Sequence, residues 1–115
     1  IVVRSDLFDI SATDSEQVIF NAKKGAATIT AAYLVWNEAT GASGAAEGDI
    51  TIGTASGGGQ IVAASAYTVS KASGSVSALT IASGALAANA SVYASHDQAA
   101  SAAGTYYLFL ELDYD

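Results

Sequence analysis

The chain holds one histidine, His96, followed directly by Asp97, and fourteen serines. Histidine is the side chain whose ordinary pKa lies nearest neutral pH, so a His–Asp pair activating a serine is the first chemistry to weigh. No serine sits in a nucleophile elbow, and His96 closes a short apolar-alternating stretch, Ser91–His96. It reads as a hydrogen-bonded histidine at the rim of a sheet. The carboxylates fall into two groups: Glu111, Asp113 and Asp115 at alternate positions, and Asp6, Asp9, Asp14 and Glu16 near the start. Calcium requires roughly six to eight oxygens from a loop that curls around it, and no such loop pattern is present. Solvated acidic faces account for both groups. A carboxylate pair for glycoside cleavage would need a substrate cleft that a domain this small has little wall to form. The segment 55–60 carries three consecutive glycines but lacks the Gly-Lys-Ser/Thr ending of a phosphate loop, and reads as a connection between strands. Asn89-Ala90-Ser91 matches the glycosylation acceptor triplet, a pattern that also arises often by chance. With no cysteine, disulfides, thiolate metal sites and cysteine nucleophiles are excluded. The reading is therefore of a non-enzyme with no cofactor and no metal.

The elements that would carry these residues are strands. From Thr105 to Asp115, Tyr106, Leu108, Leu110, Leu112 and Tyr114 share one face, with Tyr107, Phe109, Glu111, Asp113 and Asp115 on the other. Alternation of period two over this length predicts a β-strand. In Ala27–Trp36, Ile29, Ala31, Tyr33 and Val35 share a face opposite Leu34 and Trp36. Further strands are predicted at 2–8, 17–22, 49–54, 66–70, 75–82 and 91–96, about eight in all. Val76 is out of phase with Leu79 and Ile81, which suggests a bulge. Residues 21–25 read as a tight turn, and 37–48, 57–59, 84–89 and 97–103 as loops. A single helical turn is allowed over 60–65. Eight short strands in one domain predict an all-β fold, an antiparallel β-sandwich of two facing sheets, with an eight-stranded jelly roll favoured over an immunoglobulin-like arrangement.

A length of 115 residues is one domain, 1–115, with 1–9 as an N-terminal arm or first strand. Ile1 is not an initiator residue, so residues upstream of it are expected. Hydrophobic residues make up 51%, but many are alanine, so the core rests on a modest set of larger side chains that would gain from neighbours. The net charge of −7, with no clustered Lys or Arg, argues against nucleic acid and anionic membranes as partners. Tyr107, Phe109, Leu34 and Trp36 all fall opposite the predicted core faces. Either they form an interface, or a bulge has misassigned a face and they belong to the core.

Several segments have a shared cadence: 18–25 (VIFNAKKG), 28–39 (TITAAYLVWNEA), 49–53 (DITIG) and 103–114 (AGTYYLFLELDY). In style these resemble the small structural proteins of tailed bacteriophage heads, including jelly-roll decoration (cement) proteins. The resemblance implies a virion protein, made in the host cytoplasm, that binds the outer capsid surface and bridges capsomers. Its partners would be the major capsid protein and further copies of itself, as a homotrimer. The expected contact residues are Ile1, Val2, Val3, Leu34, Trp36, Tyr107 and Phe109. The alternative is a receptor- or carbohydrate-binding module of a tail fibre or adhesin, with Trp36 and the tyrosines as a sugar platform.

Overall fold

The computed structural model describes residues 1–10, 15–38, 46–68, 72–97 and 104–115, and the expected loops over 37–48 and 97–103 and the strand end at 69–70 lie largely outside them. The described residues form ten strands: β1 (Val2–Arg4), β2 (Phe8–Asp9), β3 (Ser15–Asn21), β4 (Ala27–Glu38), β5 (Ala46–Gly53), β6 (Val62–Thr68), β7 (Val76–Leu79), β8 (Ala85–Leu86), β9 (Ser91–His96) and β10 (Thr105–Tyr114). They build two antiparallel sheets, one of six strands in the order β1-β10-β4-β7 with β2 on β10 and β8 on β4, the other of four in the order β3-β9-β5-β6. The fold is an all-β sandwich.

Each sheet is four rows deep. β1 and β2 both pair with β10 on the edge away from β4, and β7 and β8 both pair with β4 on the edge away from β10. Ser5 holds the first row together between its two strands. Its amide donates to the Leu108 carbonyl at 2.8 Å, and its hydroxyl accepts the Leu108 amide at 2.9 Å. A side-chain oxygen thus takes the ladder position that the bent backbone vacates. Taken as rows, the chain pairs first with last, second with seventh, third with sixth and fourth with fifth, a nested hairpin wrapped across both sheets.

The core lies between the sheets, and alternation within each strand fills it. β10 contributes Tyr106, Leu108, Leu110 and Leu112, all at most 1% exposed, as the sequence predicts. β4 departs from its predicted faces. Glu111 pairs with Ala31 but Leu112 pairs with Ile29, so Thr30 is an extra residue in β4. Such a bulge reverses the alternation on one side of it. Ile29 remains inward, while Ala32, Leu34 and Trp36 turn inward and Tyr33 and Val35 turn out. Trp36 is fully buried, packs edge-on to Tyr106 at 5.1 Å, and donates its Nε1–H to Ser77 Oγ at 3.0 Å.

Other boundaries differ for local reasons. The bulge suggested around Val76 is absent. Leu79, Ala78, Ser77 and Val76 pair in unbroken register with residues 32–35, and Val76 faces outward. The segment 60–65 forms no helical turn, because β6 starts at Val62 and pairs with Ile52. The two-residue β8, unpredicted, follows Gly84, whose Cα lies so close to the Ile29 carbonyl that a Cβ would overlap it. The turn 21–25 forms as expected, with the Gly25 amide bonded to the Ala22 carbonyl at 3.3 Å.

Candidate interaction surface

The outer face of the six-stranded sheet collects side chains that have left the core by alternation. Across the rows, Arg4 is level with Phe109, Phe109 with Tyr33, and Tyr33 with Ala78; Tyr107 is level with Val35, and Val35 with Val76. Tyr33 and Phe109 stack at 5.5 Å with planes 5° apart. The Arg4 guanidinium lies 4.4 Å over the Tyr107 ring, an arrangement in which the ring quadrupole attracts the cation. The aromatic rings are half-buried, and Val2 and Val76 at the margins are 57% and 62% exposed. One strand period beyond Phe109 the face turns acidic, with Glu111 and then Asp113. This is an apolar and aromatic patch with Arg4 over Tyr107 at one end, where Asp9 and Glu38 are also exposed, and Glu111 and Asp113 at the other, where the Ile1 amine lies 3.9 Å from Asp113.

Of the contact residues expected from sequence, Tyr107, Phe109 and Val2 lie on this face. Ile1 is exposed beyond its edge, its carbonyl accepting the Leu112 amide at 2.9 Å. Val3 pairs with Leu110 and packs against the core from the inward side. Leu34 and Trp36, each 1% exposed, are core residues and not contact residues, because the Thr30 bulge inverts their face. Arg4, Tyr33, Val35 and Val76 also belong to the patch, beyond the residues expected from sequence. Tyr33 and Val35 are hidden by the same bulge, whereas the phase of Val76 is itself a sign that it faces away from the core.

The opposite outer face carries a different arrangement. Glu16 on β3 accepts Ser95 Oγ at 2.6 Å from β9, the Gly57 amide at 2.7 Å and Ser56 Oγ at 2.8 Å from the glycine-rich loop. These bonds, Ser95 first, then Gly57 and Ser56, hold the exposed carboxyl below the usual glutamate range against a small opposing effect of desolvation. Both carboxylate oxygens are thereby engaged in pinning the loop to the sheet. Beside it runs an open cleft of about 290 Å³ lined by Ser15, Glu16, Ser56, Gly57, Ser95, His96 and Asp97. His96 is not at the rim as expected. It is 1% exposed, with its ring 5.4 Å from Phe8. The loop over 55–59 leads into β6 and not into a helix, so it lacks the helix N-terminus that a phosphate loop uses. Asn89, of the acceptor triplet, is exposed in a turn with φ of 65°. Among the described residues, no three His, Asp or Glu side chains converge to hold a metal ion. Asp115 instead accepts a hydrogen bond from Thr28 Oγ1 at 2.7 Å.

The fold is a two-sheet antiparallel β-sandwich whose six-stranded sheet carries Tyr33, Tyr107 and Phe109 on its outer face. No family model matches the chain, and no curated protein sequence does. A chain in the structure of the cyanophage Pam1 capsid asymmetric unit is similar over 100% of this chain and 84% of its own length, with a TM-score of 0.62 and 17% identity. At that identity the likeness is one of fold.

Proposed function

We propose that the protein is a structural component of a phage virion, bound to the outer surface of the capsid, where it bridges neighbouring capsomers as an oligomer. The observation that carries this reading is the likeness in fold, over the whole chain, to a chain of a cyanophage capsid. The row order belongs to the same reading. The nesting of the rows first-to-last across two sheets supports reading the sandwich as a jelly roll, an architecture used by capsid proteins. The aromatic outer face supplies flat contact area, and repeated copies on a symmetric lattice turn weak individual contacts into avidity. A chain of net charge −7 suits the outside of a shell whose interior holds DNA.

The test is to add the purified protein to shells of the parent virus assembled without it, and to count copies bound. Saturable binding at a copy number set by the lattice is expected, and absence of binding overturns the reading. The sugar-binding alternative loses Trp36, its leading platform residue, to the core. Glycan-array binding that is abolished by Tyr107→Ser but indifferent to shells would revive it.

A further inference from the structure

We draw no further inference here: the strongest candidate, the aromatic outer face of the six-stranded sheet around the stacked Tyr33 and Phe109, carries charges of both signs at each of its ends, and nothing in the structure shows what covers it.

Discussion

Tyr33 and Phe109 lie directly opposite each other on β4 and β10, rings stacked 5.5 Å apart, on the side of the sheet that faces away from the core. Such a pair contributes about 0.5–1.5 kcal/mol beyond the area it buries. It rigidifies a surface without being needed to close the sandwich.

Replacing Tyr107 and Phe109 together with Ser should therefore leave a folded protein. The expected loss is about 1–3 kcal/mol, read as a lowered denaturant midpoint with an unchanged slope. The single core substitution Leu108→Ala should cost a comparable or larger amount, about 2–5 kcal/mol, although it deletes fewer atoms. If the double Ser variant fails to fold, the outer face is integral to the core and the surface described above does not exist as such.

Trp36 is the sharpest test of the Thr30 bulge. A tryptophan 1% exposed should emit at short wavelength and resist quenching by iodide in the folded state. Trp36→Ala should cost about 3–5 kcal/mol, a large share of the stability of a domain this size. Trp36→Phe should cost less, losing chiefly the bond from Nε1 to Ser77 Oγ. Ready quenching of the native emission would place the ring outside and restore the unbroken alternation.

That residue also marks the limit of what the sequence makes legible. The last strand can be read face by face, because nothing interrupts its alternation from Tyr106 to Leu112. In β4 the same rule reads Ile29 correctly and then inverts everything after it. A bulge is fixed by pairing with β10, at Glu111 and Leu112, and leaves no trace in the composition of residues 28–32. The second strand-scale miss, β8, is two residues long and exists because Gly84 allows two backbones to approach. His96 reads as a rim residue from its place at a strand end, yet Phe8 from a distant part of the chain covers it. Of the contact face, Tyr107 and Phe109 are legible because they depend on one strand alone. The Arg4–Tyr107 and Tyr33–Phe109 contacts are not, because they depend on register between strands.

The approach at Gly84 carries its own prediction. The Ile29 amide donates to the Gly84 carbonyl at 2.8 Å, and a Cβ at position 84 would overlap the Ile29 carbonyl oxygen, a backbone atom that cannot rotate away. Gly84→Ala should cost about 1–3 kcal/mol by forcing the backbones apart. Amide exchange at Ile29 and Leu86 should accelerate, since β8 pairs with β4 through Leu86 and Ala27. An unchanged melting temperature would show that the strand end can yield at no cost.

Glu16 gives the protein a defined acid sensitivity. Its carboxyl accepts three hydrogen bonds when ionised, and they hold its folded pKa below the ordinary value of about 4.3. For a depressed pKa the stabilisation is fully present above the unfolded value. It is lost as pH falls through the folded value, because the protonated carboxyl is no longer an acceptor for all three donors. Glu16→Gln removes the ionised acceptor at every pH. At neutral pH the variant should therefore have the lower denaturant midpoint, and its Gly57 amide should exchange faster than that of the wild type. Once the pH has fallen through the folded value the two proteins should converge, because protonation has done to the wild type what substitution did to the variant. A gap that persists unchanged from neutral to acid pH would mean that the amide side chain disrupts packing, and that the charge of Glu16 does not hold the loop.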